Sequence, residues 1–431
     1  MKLRLFLILW SALWTLGLPL VWAYLWWRGR RDPLYAQHRV ERLGRYPQQL
    51  QGAVWVHAVS LGEMRSAVPL IRALLDRGDL VVTTHFTPTG RREAERVFAA
   101  DIAAGRMAVV WVPVDTGWAY AGFFRAFAPR CGLVMEIEIW PGMIFAARRA
   151  AVPLFMCNAQ YPTRSMVRDE GLPLRHAFMR GFAGALVKSQ MQADRFASVG
   201  VTRIAVTGEL RFDQPVPARH LQAAAVARPL LAGVRPVITF ASVVEGEDDI
   251  YLDAVAAALA QSAEDRPFIV YVPRKPERFD AVAAMIAARG WPVLRRSQMF
   301  DAALQPVASV PHADVLLGDS LGEMYFYLAL ADIVVTGGGF TPKGAHNIIE
   351  PLAIKRPVIV GPHLHTIEYP ATEAIEAGVC LRVDTPAALQ QALGPDGWDG
   401  PDPDAIDAFF AEHAGATART LAALDAMLTS R

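Results

Sequence analysis

The sequence predicts an α/β chain, with two doubly wound parallel-sheet domains of similar size behind an apolar N-terminal helix. Three observations carry this. Short, nearly continuous apolar segments alternate with amphipathic ones along most of the 431 residues, the pattern of a parallel sheet covered on both faces. The alternation stops at a proline-containing stretch, 212–219, and then restarts. A run without any charged residue, 5–27, precedes both halves. A chain of this length suits two cores better than one.

The N-terminal run contains Trp10, Trp14, Trp22, Trp26 and Trp27. About 20 apolar residues cross a bilayer core, and Trp near the ends suits its interface. A secretory signal would have a shorter apolar region followed by a small-x-small cleavage site; here Trp26-Trp27-Arg28 follows. Residues 5–27 are therefore expected to form an uncleaved transmembrane anchor. Arg28, Arg30, Arg31, Arg39, Arg42 and Arg45 outnumber Lys2 and Arg4 on the other flank. That asymmetry places the remainder of the chain in the cytoplasm. The basic collar either meets anionic headgroups or serves orientation alone.

The first domain, 32–215, has strand-like segments at 54–60, 80–86, 107–114, 133–139, 153–158, 185–190 and 204–207. The second, 220–431, has them at 237–241, 268–272, 292–294, 332–336, 357–360 and 379–383, and closes with a helix over 405–428. Open sheets of this type bind ligands beyond the carboxyl ends of their strands. Ser60, Glu138, Asn158, Ser242, Arg274 and Gly337 fall there, and a cleft between the domains is expected.

Composition removes several classes. A formal net charge of +1 gives no global attraction for nucleic acid. Cys131, Cys157 and Cys380 have neither zinc nor redox spacing, which suits inert thiols in a reducing compartment. P-loop and nucleophile-elbow motifs are absent from the sequence. His346, His363 and His365 lack ligand spacing, and the D-x-D pair Asp402 and Asp404 lies in a proline-rich stretch. No metal is expected.

Four places carry candidate chemistry. At 333–351 an apolar run ends at Gly337, Gly338 and Gly339, after which Asn347 and Glu350 open a helix. Such a loop offers amides and a positive dipole end to a phosphate. The same N-x-x-E spacing is also a helix cap, and the residues alone leave both readings open. Glu63 begins the helix after the first strand, behind Ser60-Leu61-Gly62. There the helix dipole favours its charged form, which suits a general base or simply an acidic first turn. Glu136 and Glu138 alternate onto one face of a buried strand, either lining a site or pairing with an arginine. Arg274 and Lys275 end another strand, as a phosphate clamp or a solvated basic turn. Ser242 to Glu247 reads as acidic helix capping.

Taken in order, these motifs resemble the 3-deoxy-D-manno-octulosonic acid (Kdo) transferases of Gram-negative lipopolysaccharide synthesis, over nearly the whole chain. Arg42-Leu43-Gly44-Arg45-Tyr46, His57-Ala58-Val59-Ser60-Leu61-Gly62-Glu63 and Met135-Glu136-Ile137-Glu138-Ile139-Trp140-Pro141 are similar to family motifs. So are Glu245-Gly246-Glu247, Val272-Pro273-Arg274 and the segment from Gly337-Gly338 through His346-Asn347 to Glu350-Pro351. The resemblance implies a GT-B fold of two Rossmann-like domains, acceptor in the first and donor nucleotide in the second. It implies inverting transfer of Kdo from CMP-Kdo to a lipid A precursor at the inner membrane, facing the cytoplasm, without metal or cofactor. Glu63 then matches the catalytic base and Glu138 the second acidic residue. Arg274, Lys275, Gly337, Gly338, Gly339, Asn347 and Glu350 match the CMP site. The chain departs from the family pattern at Val244, Lys275 and Ala345, where it has His, His and Gly, and at Arg211, where it has Lys. A paralogue with another acidic CMP-sugar or acceptor, or a silent binding protein, is the alternative.

Overall fold

The computed structural model describes residues 2–262, 266–307, 309–395 and 397–429. It divides into two compact units, Met1–Gln214 with Ala414–Arg431, and Pro215–His413.

The N-terminal run is not one helix. It forms α1 (Lys2–Leu16) and α2 (Leu18–Gly29), bent by 51° at Gly17. Pro19, in the first turn of α2, lacks the N–H that would continue the ladder from α1. No single helix among the described residues is long and apolar enough to cross a membrane; the bent pair together meets both criteria. One side of α1 packs on the first unit. The Phe6 and Phe178 rings lie 5.3 Å apart, and Trp10 Nε1 donates to Asp115 Oδ2 at 2.8 Å. Ile8, Leu16 and Leu20 on the pair are exposed.

Seven parallel strands make the first sheet: β1 (Val54–His57), β2 (Val81–His85), β3 (Met107–Trp111), β4 (Cys131–Met135), β5 (Leu154–Ala159), β6 (Gly184–Val187) and β7 (Ile204–Val206). Their order is β3-β2-β1-β4-β5-β6-β7. Alternation sends Trp55, Val82 and Val134 into one apolar layer and Val54, Val81 and Leu133 into the other. Burial on both faces explains why these strands read as continuous apolar runs.

The second sheet is also parallel: β8 (Val237–Val243), β9 (Phe268–Pro273), β10 (Val293–Arg295), β11 (Val315–Leu317), β12 (Ile333–Thr336), β13 (Val358–Val360) and β14 (Cys380–Arg382). The order is β10-β11-β9-β8-β12-β13-β14. Strand β11 has no counterpart among the expected segments. In each sheet two neighbouring strands continue to opposite sides, β1 and β4 in the first and β8 and β12 in the second. Such switch points open a crevice at the strands' carboxyl ends.

Two expectations are corrected at the C-terminus. The helix expected over 405–428 is two helices, Pro403–His413 and Ala416–Thr429. Gly415 adopts φ 82° between them, and the N–H groups of Gly415 and Thr417 both donate to the Asp213 carboxylate. The second unit therefore ends before the last helix rather than at 431. That helix buries Ala416 and Leu424 in the core of the first unit, where α3 (Leu61–Asp76) also packs.

Candidate active site

In the first unit, Ser60 ends the turn after β1 and is the N-cap of α3, its Oγ accepting from Glu63 N–H at 3.3 Å. The Glu63 carboxylate returns to the turn, accepting from Val59 N–H at 2.8 Å and from Ser60 Oγ–H at 3.0 Å. The arrangement is a variant of the capping box, the carboxylate taking the N–H of Val59, one residue before the N-cap, so the capping reading of Glu63 is realised. It is not the whole of the residue's chemistry. Glu63 is 8% exposed, and burial, with the charge of Glu136 next, pushes its carboxyl up to about 8. The expectation that the helix terminus would favour the charged form is corrected: desolvation outweighs the dipole. A carboxyl poised near neutral pH is a stronger base than an exposed one.

Strand β4 stops at Met135 because Glu136 takes a left-handed backbone, φ 56°. Glu136 and Glu138 thus lie in a turn, and strand alternation does not govern them. Their roles separate. Glu136 meets Arg211 Nη2 at 3.5 Å and Lys188 Nζ at 3.9 Å, and accepts from Gln160 Nε2 at 3.3 Å. Glu138 Oε2 accepts from Trp140 Nε1 at 2.6 Å, and burial raises its carboxyl above the usual range. Trp140 stacks edge-on against His57 and Phe86, which holds the indole that holds Glu138.

Beneath these groups lies a buried polar network that sequence reasoning did not connect. Lys188 Nζ meets Glu209 Oε2 at 2.7 Å, and Asn158 Nδ2 donates to Glu209 Oε1 at 2.8 Å. Burial alone would raise the Glu209 carboxyl, yet Lys188 and Arg211 hold it down to about 2. Arg211 Nε also donates to Ser66 Oγ on α3 at 2.7 Å. The guanidinium fork reaches both α3 and the Glu136 turn, which a single-point ammonium does less well. Arg211 was visible in the sequence only as a motif departure.

In the second unit, the loop after β12 does not present a bare phosphate cradle. Gly338 N–H donates to both oxygens of Glu247, at 2.7 and 2.9 Å, and Val244 N–H donates to the same carboxylate at 2.9 Å. The glycines serve close approach. A Cβ on Gly337 would stand 2.2 Å from Ser242 O, one on Gly338 2.2 Å from Gly344 O, and one on Gly339 2.6 Å from Gly361 N. Glu247 is fully buried, and burial raises its carboxyl despite those amide bonds. It fixes the loop; the Glu245-Gly246-Glu247 motif was its only signal.

The expected helix after this loop is one turn, Ile349–Leu352, with Ile348 rather than Asn347 at its N-cap position. Asn347 Oδ1 accepts from Ile349 N–H at 2.9 Å. So short a helix has little dipole, which removes that part of the phosphate argument. Glu350 is half-buried in the same turn. Arg274, directly after β9, is exposed and donates through Nη1 to His346 Nδ1 at 2.6 Å; Lys275 beside it is exposed. Arg274, the glycine loop and Asn347 are thus gathered through His346 at the β8/β12 switch point. In the sequence His346 stands out only as part of the family motif ending at Glu350-Pro351, without a role of its own. Ala345, a departure from the motif, costs nothing conformationally, because Gly344 takes the positive φ of 88°.

Comparison with known proteins agrees over most of the chain. Residues 37–214 match the family model described as 3-deoxy-D-manno-octulosonic-acid transferase (kdotransferase). The 3-deoxy-D-manno-octulosonic acid transferase of Bordetella pertussis is 42% identical over 421 residues, covering 94% of this chain and 96% of that one. The enzyme of the same name from Haemophilus influenzae is 30% identical over 390 residues, covering 87% of each. A solved glycosyltransferase from Rickettsia africae shares the fold, with a TM-score of 0.57 at 13% identity over 89% of this chain and 98% of its own.

Proposed function

The chain belongs to the 3-deoxy-D-manno-octulosonic acid (Kdo) transferase family, and from that premise we propose a division of labour between its two units. The protein is a glycosyltransferase that moves Kdo from CMP-Kdo to a lipid A precursor. In the proposed mechanism the acceptor hydroxyl oxygen attacks the anomeric carbon of Kdo, the bond to CMP breaks, and configuration inverts. Glu63 takes the hydroxyl proton. The observation that carries this assignment is a carboxylate at the β1/β4 switch point, buried and pushed up to about 8, with its backbone and hydroxyl donors in place. Glu138, tied to Trp140, is the second acidic group of the acceptor site.

Arg274, Asn347 and Glu350 hold the nucleotide, with Arg274 stabilising negative charge on the departing phosphate. The glycines at 337–339 contribute by letting the backbone close in, and Lys275 adds charge at the rim. The apolar, outward-facing side of α1 and α2 seats the protein on the inner membrane, and the catalytic units face the cytoplasm. That topology rests on the exposed leucines of the pair and the arginine collar that follows.

Incubating the purified full-length protein with CMP-Kdo and tetra-acylated lipid A precursor tests the reaction. The lipid should gain the mass of Kdo as CMP appears in equal amount. CMP release without a heavier lipid would remove the acceptor assignment. Unchanged CMP-Kdo would remove the donor assignment. Protease added to the periplasmic side of spheroplasts should leave the large units intact; their digestion would overturn the topology.

A further inference from the structure

The contact between Arg274 Nη1 and His346 Nδ1 at 2.6 Å fixes more than a distance. A guanidinium has no acceptor and does not deprotonate in proteins, so Arg274 must be the donor. Nδ1 of His346 therefore carries a lone pair, and the ring is neutral with its proton on Nε2. Burial, and then the charge of Arg274, push this imidazole down to about 3, which agrees with the geometry. The backbone that carries the ring is fixed on both sides, while the buried Nε2 has no partner among the described residues. His346 N–H donates to Gly337 O at 3.0 Å, and Ala345 N–H donates to His363 O at 2.8 Å. Gly338 leaves room beside it, since a Cβ there would stand 3.4 Å from Nε2.

We propose that His346 is a positioning residue that aims Arg274 at the phosphate of the CMP portion of the donor. This rests on the CMP-donor reading above. His346 acts through Arg274, so its effect should appear with a phosphate and vanish without one.

Calorimetric titration of CMP and of cytidine into the full-length protein tests this, using wild type, His346→Ala, His346→Gln, Arg274→Ala and the Ala/Ala double variant. His346→Ala should weaken CMP binding about 10- to 100-fold and leave cytidine binding nearly unchanged. His346→Gln, whose amide oxygen accepts a hydrogen bond, should recover most of the loss. In the Arg274→Ala background, removing His346 should add little. Equal losses for CMP and cytidine, or an undiminished His346 effect without Arg274, would overturn the proposal in favour of a purely structural role. If wild type binds CMP and His346→Ala binds it equally well, this assignment alone fails. If wild type binds no CMP, the donor reading fails and takes this assignment with it. Should His346→Ala not fold, ¹⁵N spectra of the wild-type ring nitrogens decide, and a proton on Nδ1 at neutral pH would overturn it.

Discussion

Glu63 is asked to do two things with one carboxylate, and they respond differently to substitution. As a cap of the turn before α3 it needs an oxygen for Val59 N–H, which a glutamine supplies. As a base it needs a negative charge, which a glutamine lacks. Glu63→Gln should therefore fold, bind CMP normally and lose on the order of 10²–10⁴-fold in turnover. A fully active variant would remove Glu63 as the base. The pH dependence follows from the direction of its shift. Only the deprotonated form accepts a proton, so turnover should rise with pH and level off above about 8. The stability consequence has the opposite sign. A carboxyl raised from 4.5 to about 8 on folding stabilises the native state fully below its ordinary value. That contribution is lost as pH rises through about 8. Melting curves of Glu63→Gln and wild type should thus diverge in favour of the variant between pH 5 and 8 (about the interval between the two values). A pH-independent gap would mean that the carboxyl is not shifted.

At the level of elements, the loop after β12 and the seat of α1 are each held by a buried carboxylate that collects backbone amides. Glu247 gathers Gly338 and Val244. Asp115 gathers Gly142 and Met143 at 3.0 and 2.7 Å, and receives Trp10 of α1 as a third donor. Gly338→Ala would put a Cβ at φ 90° and 2.2 Å from a backbone oxygen. It should destabilise the second unit by about 1–3 kcal/mol and displace the loop that carries His346. Chemical denaturation and CMP affinity measure the two effects; a variant stable and tight-binding would show that the loop has room. Trp10→Phe keeps most of the apolar contact but removes the N–H from Asp115. A loss of about 1–3 kcal/mol is expected, read as a lower melting temperature. No change would mean that the α1 contact does not contribute to the stability of the first unit.

For the molecule as a whole, the return of the last helix to the first unit makes a sharp prediction. Truncation after His413 removes Ala416 and Leu424 from the core shared with α3 and takes the amide partners of Asp213 with them. Burying a leucine is worth roughly 1.5–3 kcal/mol, so the truncated protein should lose stability in the first unit. The second unit should keep its own transition. Hydrogen exchange resolves the two, and a loss confined to residues 215–413 would contradict the assignment of the last helix. Metal dependence is the other global property. Among the described residues, no group of three or more His, Cys, Asp or Glu is placed to hold an ion, and the positive charge assigned to the leaving phosphate comes from Arg274. Activity should be the same with and without EDTA. A loss restored by magnesium or manganese would reveal a site not recognised here.

The layered α/β class, the restart of the pattern after the first half and the places of Glu63, Arg274 and the 337–339 glycines at element ends are legible in the residues alone. Each of these is local: a run of apolar residues, a turn composition or a motif spacing appears within a dozen residues of chain. The remaining assignments are non-local and needed the fold. Glu136 and Glu138 could be assigned different partners only once Lys188 and Arg211 had been brought to one of them and Trp140 to the other. Glu247 could be seen to hold the glycine loop only across 91 residues of sequence, and His346 to hold Arg274 only across 72. The last helix could be given to the first unit only by finding Asp213 at its start. Periodicity reports which face of an element is buried, but a buried charge is governed by whatever the fold carries to it, and desolvation then sets its chemistry.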